Sequence, residues 1–206
     1  MTTKRATCPH CLRPQITCIC KWIVPVVNTV EVLVLQHPLE VSNAKGSASL
    51  QHLCLPNSRM VTGEVFEVSV LASTAKHDIF LYPDTTQDAA HGLPAPQQMP
   101  TTLIDPVQIR LIVVDATWRK SRKMLYRNPR LHCLPRLSLQ GLPASSYRIR
   151  KAHSLDQLST LEATCAALAQ LEGNTEKYQP LLAAFDGFVA QQMGLAALGS
   201  LSHPDR

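Results

Sequence analysis

Ile109-Arg110-Leu111-Ile112-Val113-Val114-Asp115-Ala116-Thr117-Trp118 is the stretch from which the fold is read. Leu111 to Val114 are an unbroken β-branched or Leu run, the composition of a central strand covered on both faces. The run ends on Asp115, and Thr117 can N-cap a helix over Trp118 to Arg127 that Asn128-Pro129 stops. A strand that delivers a carboxylate at its carboxyl end, directly before a helix, is the junction at which open α/β sheets bind ligands.

Working outward, Val30 to Leu35 reads as a second buried strand, and Ser42 to Leu55 has the Ala, Ser and Leu of a short helix. Glu64 to Leu71, with Val65, Phe66, Val68 and Val70, alternates like a strand, and Asp78 to Tyr82 is another short strand before Pro83. Pro83, Pro94, Pro96, Pro100 and Pro106 then punctuate a polar stretch expected to be a surface loop. Ser154 and Gln157 have capping-box spacing ahead of Leu155, Leu158, Leu161, Cys165, Leu168 and Leu171, an amphipathic helix closed by Gly173. A last helix starts near Pro180, with Leu181, Leu182, Phe185, Phe188, Val189 and Met193 on its apolar face. Strands alternating with helices predict an α/β fold with a largely parallel sheet.

At 206 residues and 45% hydrophobic content the chain suits one main domain plus a small appendage. It has no apolar run of membrane-spanning length, and Met1 to Thr7 is polar, so a soluble, unexported, cytoplasmic protein is expected. The net charge of +5 is unevenly spread. Between Arg119 and Lys151 stand 10 Lys/Arg and no acid, and the first 22 residues carry 4 more, leaving 6 basic residues among all 15 acids elsewhere. Adjoining in space, two such segments make a phosphate-binding stripe and point to a nucleic-acid partner; apart, they are solvated basic faces.

Cys8-x-x-Cys11, six residues, then Cys18-x-Cys20 puts four thiols on a segment too short for a core of its own. Four thiolates close the tetrahedron of one structural Zn²⁺, and a reducing compartment fits that use. His10 is an alternative to one of the cysteines, and free or redox-active thiols are the alternative to metal. Cys54, Cys133 and Cys165 sit in apolar contexts and read as core. The expected division is a zinc-binding segment over 1–24 and a main domain over 25–206.

Asp115-Ala116-Thr117-Trp118 resembles the D-x-T-W signature of the DTW-domain family. The same order of similarities runs through the cysteine segment, Gln36-His37-Pro38-Leu39-Glu40, Phe80-Leu81-Tyr82-Pro83, Arg119 to Met124, Pro129-x-Leu131, Leu134-Pro135, Ser145 to Arg150 and Leu158 to Ala163. Ala44-Lys45-Gly46-Ser47 departs from the Asn-Thr often found in relatives. The resemblance implies a SPOUT-like sheet with a C-terminal knot, against the general rule that chains avoid knots. It implies a tRNA-uridine aminocarboxypropyltransferase, with S-adenosylmethionine as donor and methylthioadenosine as by-product.

On that footing Asp115, Thr117 and Trp118 are the expected catalytic group: Asp115 accepts the N3 proton or orients the uridine, Thr117 fixes the turn, and Trp118 walls the pocket or stacks on a ring. Ser146, Tyr147, Arg148, Ser159, Thr160 and Glu162 are expected around S-adenosylmethionine. Arg119, Arg122, Lys123, Arg148, Arg150 and Lys151 are expected on tRNA phosphates, and Cys8, Cys11, Cys18 and Cys20 on zinc. The competing readings are that Asp115 and Thr117 merely cap the helix with Trp118 in the core, and that Ser159, Thr160 and Glu162 only bond locally in a helix turn. At the level of activity the alternatives are an RNA methyltransferase using the same donor and a non-catalytic zinc-stapled RNA-binding module.

Overall fold

The computed structural model describes residues 6–71, 75–83, 97, 99, 104–139 and 158–201. Five parallel strands form one sheet in the order β2-β1-β4-β3-β5: β1 Glu31–Gln36, β2 Ser58–Thr62, β3 His77–Leu81, β4 Ile109–Asp115 and β5 Arg136–Leu137. The helices are α1 Ala48–Cys54, α2 Val68–Leu71, α3 Trp118–Arg127, α4 Pro129–Cys133, α5 Thr160–Glu172 and α6 Gln179–Leu201.

The unbroken apolar runs of β1 and β4 make sense as a sheet covered twice. Val32, Val34, Ile79, Leu111 and Val113 face a core shared with α1, α5, α6 and the cysteine segment. Their neighbours Leu33, Leu35, Phe80 and Ile112 face a second core closed by Phe66, Leu71, Met124, Leu125 and Leu131. With side chains alternating across a strand, every residue of such a run is buried on one side or the other. Among the described residues no helix is long and apolar enough to cross a membrane.

Glu64 to Leu71 is not a strand. Its backbone is held by the buried side chain of Asn128, which accepts from the Phe66 amide at 2.8 Å and donates to the Glu64 carbonyl at 2.9 Å, and the segment ends in the single turn of α2. Phe66 and Leu71 turn inward while Val65 and Val68 stay exposed, so the alternation of apolar residues marks only two inward anchors. The place beside β1 is taken by the half-polar Ser58–Thr62, in register from Val32↔Ser58 to Gln36↔Thr62. Helix α5 begins at Thr160 with Ser159 as N-cap: the Ser159 hydroxyl accepts from the Glu162 amide at 3.2 Å, and the Glu162 carboxylate accepts from the Ser159 amide at 2.8 Å. The expected cap pair Ser154 and Gln157 lies outside the described residues, as does most of the proline-rich stretch. The expected knot turns on the path of residues 140–157, which also lie outside them.

The cysteine segment is packed on the main body. Trp22 lies against Gly187 of α6, with its indole N–H on the Gln191 side chain, and Gln191 donates in turn to the Cys18 carbonyl at 3.0 Å. Arg13 donates to the carbonyls of Ala44 (2.7 Å) and Gly46 (2.9 Å) and lies 5.5 Å from the centre of the Phe188 ring.

Candidate functional site at the carboxyl ends of the central strands

Strands β1 and β4 are adjacent but not consecutive: β1 is followed in the chain by β2 on one side, while β4 inserts on the other, between β1 and β3. In open α/β sheets ligands bind outside the carboxyl ends of the strands at such a reversal of strand order. There the last residues of the two strands, Gln36 and Asp115, are register partners. The Gln36 side-chain amide donates to Asp115 Oδ2 at 3.0 Å, and Thr160 Oγ1 donates to Asp115 Oδ1 at 2.9 Å. Asp115 is only 4% exposed, and each carboxylate oxygen has a donor. Buried carboxylates persist when they are so bonded.

Through these bonds the Asp115 carboxylate ties the end of β4 to β1 and α5. Thr117 does stand at the N-cap position of α3, in extended conformation, but its side chain makes no capping bond there. Its carbonyl accepts the Ser121 amide at 2.7 Å. Trp118 is not a core residue: it is 48% exposed, and its ring meets Tyr82 edge-on at 6.1 Å between centroids. Behind it, Tyr82 stacks on Phe80 at 5.1 Å, and the Arg136 guanidinium lies 5.5 Å from the Tyr82 ring centre. A half-exposed indole buttressed by a second ring, three residues after the carboxylate that ends β4, can take a flat ligand.

The turn after β1 is tied to α3 by charge. Buried Glu40 accepts from Lys120 at 2.9 Å and from Asn43 at 2.8 Å. His37 accepts the Leu39 amide on Nδ1 at 3.1 Å, which leaves Nε2 to donate to Glu64 at 3.0 Å. Glu64 also takes Lys123 at 2.9 Å and Arg127 at 2.5 Å, and Lys123 with its neighbours holds that carboxyl below its ordinary value. Lys120, Lys123 and Arg127 are thus paired with acids from outside the acid-free segment. Arg119 and Arg122 are exposed, with no ion pair among the described residues. Of the six expected phosphate contacts, Lys123 is therefore already engaged, and Arg148, Arg150 and Lys151 lie outside the described residues, as do Ser146 and Tyr147.

The residues expected around the donor divide by what they touch. Thr160 turns to Asp115, whereas Ser159 and Glu162 bond each other in the cap that fixes where Thr160 stands. Gln36 was not singled out from sequence as a site residue. Its signal was an amide closing an otherwise apolar strand, beside the very position at which β4 presents Asp115.

In the N-terminal segment the Sγ atoms of Cys8, Cys11, Cys18 and Cys20 all lie within 4.8 Å of one another, and His10 is not among them. The chain doubles back through the Cys8 amide on the Arg13 carbonyl (2.8 Å), with Leu12 in the left-handed region at φ 58°. Amides of Cys11 and His10 beside the Cys8 sulfur bring its thiol down to about 6. Burial, with the neighbouring thiols, pushes Cys20 up to about 12. Four soft sulfurs converging without a carboxylate form a donor set that can hold a metal such as zinc.

Comparison with known proteins agrees with the signature at Asp115. The family model described as the DTW domain matches residues 5–193. A mouse protein named tRNA-uridine aminocarboxypropyltransferase 2 is 30% identical over 189 residues, covering 87% of this chain and 61% of the relative. A Drosophila melanogaster protein of the same name is 27% identical, covering 87% and 72%. An Arabidopsis thaliana protein named tRNA-uridine aminocarboxypropyltransferase A is 24% identical over 135 residues, covering 59% and 51%. The chain thus spans about three-fifths of the length of the mouse relative. No solved structure matches. With Asp115, Thr117 and Trp118 at the junction of β4 and α3 and the family model running from the cysteine segment into the last helix, the chain belongs to the DTW-domain family.

Proposed function

We propose that the protein is a tRNA-uridine aminocarboxypropyltransferase that moves the 3-amino-3-carboxypropyl group of S-adenosylmethionine to N3 of a tRNA uridine, giving acp3U and methylthioadenosine. The observation that carries this reading is the bracketed carboxylate of Asp115 at the strand-order reversal, inside a chain whose relatives bear that name over 87% of its length. The donor supplies an electrophilic carbon next to its sulfonium, and the chain's task is to aim that carbon, rather than the methyl, at the base. Holding the two reactants in line can lower the barrier by about 7–11 kcal/mol.

In this reading Asp115 meets the uridine N3–H, accepts its hydrogen bond and takes the proton as the nitrogen attacks. Gln36 and Thr160 fix the direction of the carboxylate, so its contribution rests on geometry. Trp118 offers its free face to a flat ring, uracil or adenine. Thr117 holds the turn, and Ser159 and Glu162 hold Thr160, with Ser146, Tyr147 and Arg148 completing the donor's pocket. Arg119, Arg122, Arg148, Arg150 and Lys151 meet phosphates. Residues 1–24 bind one Zn²⁺ through Cys8, Cys11, Cys18 and Cys20 as a structural staple, and residues 25–206 carry the transfer in the cytoplasm.

Nucleoside mass spectrometry of tRNA from cells lacking the protein tests the reading. Loss of acp3U, restored by the parental gene and not by Asp115→Asn, is the expected result. An unchanged acp3U level, or loss of a methylated nucleoside instead, would overturn it.

A further inference from the structure

Helix α3 divides its exposed surface by function, and the division is visible in which charges are already paired. At 100° per residue, Lys120, Lys123 and Arg127 fall on one flank, where Glu40 and Glu64 neutralise them. On the other flank Trp118, Arg122 and Tyr126 recur at i, i+4 and i+8, about 6 Å apart along the axis, with Arg119 beside them. Trp118 is 48% and Tyr126 43% exposed, and Arg119 and Arg122 are exposed without an ion pair among the described residues. Two half-exposed rings one turn apart from an arginine between them, with no acid along the helix, combine flat apolar faces with unopposed positive charge on one flank.

We infer that this flank of α3, Trp118-Arg122-Tyr126 with Arg119, is a track for an unpaired stretch of polynucleotide leading to Asp115. The inference rests on the proposed tRNA substrate and adds to it the form the RNA takes at the enzyme. Rings accept unstacked bases of any identity, which a duplex does not present, while guanidinium groups take the phosphates between them. The track starts at the end of β4, since Trp118 opens α3 three residues after Asp115. A uridine at N3 is reachable only when it is out of its pair, so a surface that keeps its neighbours unstacked serves the same end.

The test is binding of a uridylate single strand and of a duplex RNA of equal charge to the full chain over a range of salt. Tyr126→Ala should weaken the single strand by about 5- to 150-fold, the cost of one base–aromatic stack, with the salt slope unchanged. Tyr126→Phe should restore it, and duplex binding should not move. Arg122→Gln should lower the log–log salt slope for the single strand by about 0.7, whereas Lys123→Gln, already opposed by Glu64, should lower it less. Tyr126 touches buried His132, so melting temperatures accompany each variant. Equal loss of duplex and single strand in Tyr126→Ala, or parental single-strand affinity in a folded Tyr126→Ala, would overturn the track. Tyr126-dependent capture of a polyglutamate peptide would overturn it in favour of a protein-docking face. A parental enzyme that forms no acp3U but shows the Tyr126 dependence would remove the proposed reaction and leave the track standing.

Discussion

Asp115→Asn separates the chemical role of this residue from its structural one, and the structure sets the size of each. Asn is nearly isosteric with Asp. Its Oδ1 can face the Gln36 amide, and its Nδ2 can face Thr160, whose hydroxyl rotates to accept, so both contacts at 3.0 and 2.9 Å survive as neutral hydrogen bonds. Hydrogen bonds to a charged group contribute about 1.5–3 kcal/mol and neutral ones about 0.5–1.5. Part of that difference is offset because a carboxylate no longer has to be buried. A net loss of about 1–2 kcal/mol is expected, a fall of about 2–8 °C in melting temperature for a chain of 206 residues. The chemical loss is larger. A proton-handling group contributes about 10²- to 10⁴-fold in rate, or about 3–5.5 kcal/mol of barrier. Turnover on tRNA, followed by nucleoside mass spectrometry, is measured together with melting temperature and S-adenosylmethionine binding. A variant that melts within that range, binds the donor and still modifies tRNA at the parental rate would refute the argument and leave Asp115 as a tie between β1, β4 and α5.

The purified chain should hold about one Zn²⁺ by atomic absorption, and Cys8→Ser with Cys11→Ser should lower the melting temperature and shift Trp22 fluorescence, because the cysteines share a core with Phe188 of the last helix; a metal-free chain of parental stability would contradict this. A Cβ at residue 187 would lie 2.1 Å from the Trp22 ring, whereas one at residue 194 meets nothing within 4 Å. Calorimetry should therefore show Gly187→Ala losing up to about 2 kcal/mol and Gly194→Ala gaining about 0.5–1, and equal shifts would refute the packing. Burial alone would raise the Glu172 carboxyl, but Lys177 and the amides of Val30 and Thr29 hold it below its ordinary 4.5. A depressed carboxyl stabilises fully above its unfolded value and loses that contribution as pH falls through its folded one. The fall in melting temperature on acidification below about pH 4.5 should therefore be shallower in Glu172→Gln, and an equal fall in both proteins would refute the link.

The two central strands and helix α3 were legible because burial on both faces leaves a composition that no loop shares, as in Leu111 to Val114. The edge was not legible: Ser58–Thr62 is half exposed and half polar, so its pairing with β1 is decided by the sheet rather than by its own side chains. Glu64 to Leu71 failed for the opposite reason, since its apolar residues imitate a strand while Asn128, 62 residues from Phe66, claims the backbone. Four cysteines could be grouped from spacing alone, because a metal-binding loop is local in sequence. The partners of Asp115 could not, because Gln36 lies 79 residues away and Thr160 lies 45 away, and only the strand order brings them together. The basic segment was legible as charge but not as free charge, since Glu40 and Glu64, 80 and 59 residues from Lys120 and Lys123, pair with it.

The identity of the transferred group separates aminocarboxypropyl transfer from methylation. Purified protein incubated with unmodified tRNA and S-adenosylmethionine, followed by mass spectrometry of both the nucleosides and the spent donor, addresses it in one measurement. An aminocarboxypropyl uridine formed in step with methylthioadenosine is the expected result. A methylated nucleoside formed in step with S-adenosylhomocysteine, or tRNA binding with no turnover of the donor, would contradict it.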